Sequence, residues 1–143
     1  MHYQNYINNE WRDAESGKTF DVDNPFTEEV IASVPASDEA DVNNAVEAAK
    51  TAFQDWRRLT AGDRRDYLRT MAVRSREHAK ELGKTITQEM GKPLGGAINE
   101  IHEVADYLEY YSELARDHVG RIVAPNEPDT MSLVKYEPYG VVG

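Results

Sequence analysis

The sequence contains no cysteine. Disulfide bonds are therefore excluded, and so is a thiol nucleophile supplied by these residues. No apolar run approaches the roughly 18 residues that a membrane-spanning helix requires. The opening stretch, MHYQNYINNEWRD, is too polar for a signal peptide. We therefore expect a cytoplasmic protein with no membrane partner.

Positive charge is scarce. The chain has 16 Lys and Arg residues against 26 Asp and Glu residues, which gives a formal net charge of −10. A nucleic-acid-binding protein needs a cationic face to displace counterions from phosphates, so we expect no nucleic-acid partner. The acidic excess is most simply a solvated surface, and adaptation to high salt is the second interpretation.

The first 36 residues predict short strands and turns. YINNEW places Tyr6 and Trp11 on either side of an Asn-Asn turn, which favours a small hairpin. TFDVDNP alternates in polarity and stops at a proline, and EEVIASVPAS predicts a further short strand.

Three long helices are predicted between residues 37 and 120. The first begins at Ser37 or Asp38, either of which can cap it. The second runs from Thr60, with Asp63 completing a variant capping box, to Met90. Gly83 inside it allows close packing. The third extends from about Leu94 to Val119 and ends at Gly120. The apolar stripe of the first helix consists of Val42, Ala45, Val46, Ala49, Phe53 and Trp56.

Beyond the helices, PNEPD predicts a loop and residues 130–138 alternate like an extended strand. YGVVG then begins an apolar, β-branched run at Tyr139. Amphipathic helices can cover each other, but a buried strand starting at Tyr139 needs a sheet that these residues do not supply. We therefore expect a fragment, the front of a longer protein, that exposes apolar surface when it is alone.

The glycine-rich stretch EMGKPLGGAINE invites a nucleotide-binding interpretation, but its spacing fits neither GxxxxGK[ST] nor GxGxxG. A linker between two helices is the stronger interpretation. Gly91 stands where a helix C-terminus needs positive φ, and Pro93 cannot continue that helix. Gly95 and Gly96 are interpreted as removing side chains where the next helix starts close to its neighbour.

Two other features have alternative interpretations. HEVAD resembles the zinc motif HExxH, with Asp106 in the second ligand position after His102, but a solvated helix face is favoured over a metal site. Tyr107, Tyr110 and Tyr111 favour a packed helix interface over a ring-stacking ligand site. No catalytic residue and no cofactor-binding residue is identified.

Five segments, in order and over nearly the whole chain, resemble the N-terminal part of an NAD(P)-dependent aldehyde dehydrogenase, with semialdehyde and betaine-aldehyde members the most similar in character. They are DNPFTEEVIASVPAS (23–37), DVNNAVEAAKTAFQDWRRL (41–59), EMGKPLGGAINEI (89–101), YLEYYSELA (107–115) and MSLVKYEPYGVVG (131–143).

The resemblance implies an α/β fold of the aldehyde dehydrogenase type and oxidation of an aldehyde to a carboxylic acid. NAD or NADP would serve the full-length protein, whose catalytic residues come later, so this segment is expected to be inactive and to bind no coenzyme. The implied parts are N-terminal strands (1–36), a helical layer flanking the coenzyme domain (37–120), an oligomerisation arm (121–138) and the start of the first Rossmann-like strand (139–143).

The resemblance also implies partners and a metal site. A homo-oligomer, dimer or tetramer, would form through residues 130–138, alongside contacts with the remainder of the chain. A monovalent cation would bind at Val22, Asp23 and Glu100. Glu28 stands where the family usually has glycine, which puts the geometry of the preceding turn in question. The alternative to all of this is a complete small helical interaction module whose apolar stripe binds a partner.

Overall fold

The computed structural model describes residues 1–117 and 120–143, which contain three two-stranded antiparallel ribbons and four α-helices. The strands are β1 (Asn5–Ile7), β2 (Glu10–Arg12), β3 (Thr19–Asp23), β4 (Val30–Pro35), β5 (Arg121–Val123) and β6 (Ser132–Val134). The helices are α1 (Glu39–Trp56), α2 (Ala61–Glu77), α3 (Ala79–Met90) and α4 (Leu94–Leu114).

The predicted N-terminal hairpin is confirmed. Asn8 and Asn9 both have positive φ, 53° and 62°, which is the backbone of a type I′ turn and matches the twist of the flanking strands. Tyr6 pairs with Trp11 across the hairpin, and their ring centroids lie 4.8 Å apart. Asparagine tolerates the left-handed region better than most residues, so the turn chemistry sets the register.

The two further strands predicted before residue 36 are also confirmed, as β3 and β4. Their pairing shifts register between Val22 and Asp23. The first residues of the chain run along the other edge of β4. There, the backbone N–H of Tyr3 donates to the carbonyl of Ser33 at 2.9 Å, and the N–H of Ser33 donates to the carbonyl of Met1 at 2.8 Å.

Helix α1 begins in a capping box. The Asp38 carboxylate accepts from the N–H of Ala40 at 2.9 Å, and the Asp41 carboxylate accepts from the N–H of Asp38 at 3.0 Å. The other oxygen of Asp41 accepts from the N–H of Glu15 at 3.0 Å. Asp41 is buried, and its two bonds join the turn after β2 to the start of α1.

The prediction of three helices is wrong, because the segment from Thr60 to Met90 forms two helices that meet at His78. The backbone of His78, φ −100° and ψ 7°, leaves helical geometry. Both helices lie against α4, α2 along its C-terminal half and α3 along its N-terminal half. A straight helix of that length would extend about 45 Å, whereas α4 extends about 30 Å. The change of direction keeps both pieces on α4.

Small residues make the contact between these helices. The buried residues of α2, α3 and α4 are all small. Gly83 lies directly on α4: a Cβ placed on it would be 2.7 Å from Cγ1 of Ile98. The close approach predicted for Gly83 is therefore confirmed. The buried alanines of the helices are Ala72, Ala79, Ala97 and Ala105.

The third predicted helix is shorter than expected, since α4 ends at Leu114 and turns occupy residues 115–117. Val119, its predicted last residue, lies outside the described residues. The extended strand predicted over residues 130–138 is longer than the observed one, β6, which pairs with β5 of the same chain. Residues 139–143 form no strand here, because the structure offers them no neighbouring strand.

The prediction of exposed apolar surface is confirmed. The chain has 11364 Å² of accessible surface, whereas a compact monomer of 16.2 kDa has roughly 7,500 Å². The apolar stripe of α1 contributes to this excess, with Val42 56% and Trp56 41% exposed. Helix α1 contacts β1, and Trp56 at its end lies against Tyr67 of α2 with ring centroids 5.4 Å apart, so the described residues cover its stripe only in part.

Candidate cation site and interaction surfaces

The glycine-rich loop turns the chain between α3 and α4. Gly91 has φ 75° and caps the C-terminus of α3 through its N–H, which donates to the carbonyl of Thr87 at 3.0 Å. The interpretation of this stretch as a helix linker is therefore confirmed in its conformation. The interpretation of Gly95 is wrong, since a Cβ there would meet nothing within 4 Å.

Lys92 folds back from this loop onto α4. Its ammonium group donates to the Glu100 carboxylate eight residues later, and both side chains are partly exposed. A Cβ on Gly96 would lie 3.7 Å from Cε of Lys92, so the lysine stem runs over a residue without a side chain. The Lys92–Glu100 pair was not predicted from the sequence.

The predicted monovalent cation site joins two regions that lie side by side. A Cβ on Gly91 would be 3.2 Å from Cγ of Pro25, so the turn after β3 touches the loop before α4. Val22 and Asp23 are the last two residues of β3, directly before that turn, and the register of the β3–β4 ribbon shifts between them. Glu100 is engaged by Lys92, and the cation at Val22, Asp23 and Glu100 stays a prediction.

The turn itself keeps the backbone that glycine would favour. Glu28 has φ 57°, and its N–H donates to the carbonyl of Asn24 at 2.8 Å. The side-chain oxygen of Asn24 accepts from the N–H of Phe26 at 2.9 Å. The backbone and the side chain of Asn24 thus both stabilise the turn, in which Glu28 adopts a conformation that L-residues rarely take.

The HEVAD segment binds an arginine through its aspartate. Asp106 accepts from Nη2 of Arg76 at 2.7 Å, while His102 is exposed on the surface of α4. In the part of the chain that the structure describes, no group of three or more His, Cys, Asp or Glu residues is placed to hold a metal ion. The favoured interpretation, a polar helix face, fits this arrangement.

Arg76 is the centre of an ion-pair network between α2 and α4. Besides Asp106, it binds both carboxylate oxygens of Glu109, at 2.6 and 2.9 Å. These hydrogen bonds lower the pKa of Glu109 below its ordinary value and raise the pKa of the Arg76 guanidinium. Arg69 and Glu113 make a further contact at 3.7 Å. Sequence reasoning missed this network, although α4 carries acidic residues at helical spacing and α2 carries arginines.

The tyrosines of α4 do not form the packed interface that the sequence favoured. Tyr107, Tyr110 and Tyr111 are each about three-fifths exposed. Tyr110 and Tyr111 contact each other edge to face, with centroids 5.3 Å apart. They form an aromatic surface that no neighbouring element of the described chain covers.

The β5–β6 hairpin carries a second apolar surface. Ile122 and Leu133 pair across the β5–β6 hairpin and are 79% and 65% exposed. Gly120 precedes β5 with φ 118°, and a Cβ there would lie 2.0 Å from the carbonyl oxygen of Val134. Only glycine fits at this position.

A third apolar surface is an open groove of about 650 Å³. It is lined by Phe53 and Trp56 of α1, by Tyr67 of α2 and by the terminal stretch Gly140 to Val142. Among the described residues, no helix combines the length and the hydropathy needed to cross a bilayer.

Known proteins are similar to this chain in sequence and in the arrangement of elements. The sequence model of the aldehyde dehydrogenase family matches residues 11–143. The mitochondrial succinate-semialdehyde dehydrogenase of Arabidopsis thaliana is 42% identical over 140 residues, which are 98% of this chain and 26% of that protein. The glutarate-semialdehyde dehydrogenase of Pseudomonas putida is 40% identical over 138 residues, covering 96% of this chain and 29% of that protein.

Solved structures agree. A 3,6-anhydro-L-galactose dehydrogenase in complex with NAP superposes with a TM-score of 0.89 at 30% identity, over 94% of this chain and 28% of that one. A betaine aldehyde dehydrogenase of Staphylococcus aureus in complex with NAD+ gives a TM-score of 0.86 at 30% identity, over 91% and 26%.

These matches show that the chain belongs to the aldehyde dehydrogenase family. It corresponds to the N-terminal part of its relatives and spans 26% and 29% of the two relatives named above. The resemblance recognised in the sequence is confirmed at the level of the family and of its fold.

Proposed function

We propose that this chain is the N-terminal part of an enzyme that oxidises an aldehyde to a carboxylic acid with NAD or NADP as the hydride acceptor. The observation that carries the proposal is the match of residues 11–143 to the family together with a TM-score of 0.89 to a dehydrogenase bound to NAP. Water supplies the second oxygen of the acid, and the hydride leaves the aldehyde carbon for the nicotinamide.

Within that enzyme the chain supplies structure and no reacting group. The family reaction uses a cysteine thiolate, and these residues contain no cysteine. The helices α1 to α4 would form the layer beside the coenzyme domain. The exposed stripe of α1 and its groove support this role, because they present apolar area that a neighbouring layer would bury.

The β5–β6 hairpin, within residues 121–138, would form the oligomerisation arm of a dimer or tetramer. Its cross-strand pair Ile122 and Leu133 is mostly exposed, and each strand of a two-stranded ribbon leaves one edge of backbone groups unpaired within the ribbon. A neighbouring subunit that adds a strand to this edge would satisfy both the hydrogen-bonding groups and the apolar side chains. Residues 139–143 would become the first strand of the coenzyme domain once neighbouring strands are present.

A chimera tests the proposal. Residues 1–143 replace the matched segment of the Arabidopsis succinate-semialdehyde dehydrogenase, to which they are 42% identical. The chimera is assayed with succinate semialdehyde by NAD(P)H absorbance, next to the parent enzyme and the isolated 143-residue chain. We expect measurable turnover by the chimera and none by the isolated chain.

The outcomes are distinct. A chimera that assembles like its parent but has no activity would argue against a role in this reaction. Turnover by the isolated chain would show that it carries its own catalytic groups. A further check replaces the arm pair, Ile122 and Leu133, with lysines in the chimera, which should lower the oligomer size seen by light scattering.

A further inference from the structure

The carboxylate of Glu100 has a cation supplied by its own chain. The ammonium group of Lys92 donates to it, and the two side chains are 36% and 45% exposed. Family resemblance assigns a free monovalent cation to the same carboxylate. Glu100 therefore has two possible cationic partners, and the structure shows one of them.

The local backbone is shaped to bring Lys92 to this position. Gly91 turns out of α3 with φ 75°, and Pro93, with φ −54°, starts α4 directly after the lysine. The lysine stem then passes along the face of α4 that contains Gly96 and Glu100. These two residues are four apart and hence neighbours on one helix face.

Gly96 leaves open space beside the lysine stem. A Cβ at this position would lie 3.7 Å from Cε of Lys92, an ordinary contact distance, whereas a larger, branched side chain would occupy the path of the stem. The glycine thus has a physical role that differs from the helix–helix contact expected from the sequence.

Charge at the start of α4 makes a carboxylate partner necessary for a cation at this position. The first turn of α4 has no acidic residue and no side-chain cap, so its free N–H groups present partial positive charge. A lysine placed there is repelled unless a carboxylate offsets it, and Glu100 does so. A Na⁺ or K⁺ ion would have to displace the tethered ammonium or share one carboxylate with it.

The geometry points to Lys92 as a built-in cation that replaces a monovalent metal ion at Glu100. It ties the loop between α3 and α4 to the second turn of α4, and the turn that contains Pro25 touches the same loop at Gly91. This inference does not depend on the proposed enzymatic activity.

The test is the thermal stability of the full-length protein that contains this chain, measured in choline chloride, NaCl and KCl at equal ionic strength. The wild type should unfold at the same temperature in all three salts. Lys92→Met should unfold a few degrees lower in choline chloride and should recover saturably with NaCl or KCl. Lys84→Met, which removes an exposed lysine of α3, is the matched control and should show neither effect.

Two more variants separate the role of the Glu100 charge from the role of the open path beside Gly96. Lys92→Met combined with Glu100→Gln should show no response to the choice of cation. Gly96→Val keeps both charges but blocks the stem, and should acquire the same salt response as Lys92→Met.

Two results would overturn the inference. One is a saturable stabilisation of the wild type by Na⁺ or K⁺ that Glu100→Gln abolishes, which would place a metal ion there; this comparison holds even if Lys92→Met does not fold. The other is a Lys92→Met protein that behaves like Lys84→Met in every salt.

Discussion

Gly83 of α3 lies against Ile98 of α4 so closely that a single added methyl group would be 2.7 Å from Cγ1 and 3.0 Å from the backbone nitrogen of Ile98. Alanine is favoured over glycine inside a helix by about 1 kcal/mol. Overpacking at such a contact costs about 1–3 kcal/mol. The stability of an alanine variant shows whether the gain in helix propensity or the cost of overpacking is larger.

Gly83→Ala should lower the free energy of unfolding in urea by about 1 kcal/mol, because the overlap with the backbone of Ile98 cannot be relieved by a rotamer change. Gly95→Ala is the control: it lies in α4 with nothing within 4 Å of its Cβ position and should be neutral or stabilising. A Gly83→Ala protein as stable as the wild type would mean that the two helices separate easily.

Glu28→Gly should stabilise the protein, raising Tm by about 3 °C, because glycine adopts the φ of 57° without steric cost. Glu29→Gly, one residue later and outside the positive-φ region, should lower Tm instead. Both variants remove one negative charge, but only Glu28→Gly relieves backbone strain. Calorimetry of the two therefore separates the effect of strain on Tm from the effect of charge. If both raise Tm equally, charge and not strain is responsible.

Arg76→Gln should lower Tm by a few degrees at neutral pH, since it leaves Asp106 and Glu109 without their shared partner. The folded-state pKa of Glu109 is lowered by Arg76, so the stability from this pair is present above the unfolded value of 4.5 and is lost as pH falls through the folded value. The gap between variant and wild type should therefore narrow on acidification below that pH.

The control for this network is Arg74→Gln, because Arg74 contacts Glu77 within the same helix at 3.1 Å and does not join two elements. It should change Tm little and leave the pH profile intact. A gap between Arg76→Gln and wild type that stays constant on acidification would show that Glu109 is not the group responsible.

The isolated chain should associate as its concentration rises, because the β5–β6 hairpin presents Ile122 and Leu133 to solvent. Replacing both by lysine should shift it toward monomer in light scattering. Gln88→Lys, at an exposed position of α3, adds charge elsewhere and should leave the association unchanged. A wild-type chain that stays monomeric across a wide concentration range would contradict this prediction.

The parts of the fold that local chemistry decides were predictable. Thr60 and Asp63 signal a helix start through a capping box, and the structure has it, with the N–H of Asp63 donating to the Thr60 hydroxyl at 3.2 Å. Asn8-Asn9 signals a hairpin because both residues tolerate positive φ. Gly91 followed by Pro93 signals a helix end and a new start.

The parts that depend on tertiary contacts were not predictable. Nothing at His78 breaks a helix locally, since neither proline nor glycine is present, and the division between α2 and α3 follows from packing on α4. Strand β5 is too short to stand out as a pattern, and it forms because β6 returns beside it. The pairs Lys92–Glu100 and Arg76–Glu109 join residues 8 and 33 positions apart, distances at which sequence spacing gives no contact information.

One carboxylate, that of Asp41, serves both as the reciprocal cap of α1 and as the acceptor for the N–H of Glu15 in the turn after β2. The first turn of α1 cannot unwind without releasing that amide to water. The backbone amide proton of Glu15 should consequently exchange with deuterium at the rate at which the start of α1 opens. A single loop resonance would then report the fraying of a helix that begins more than twenty positions further along the chain.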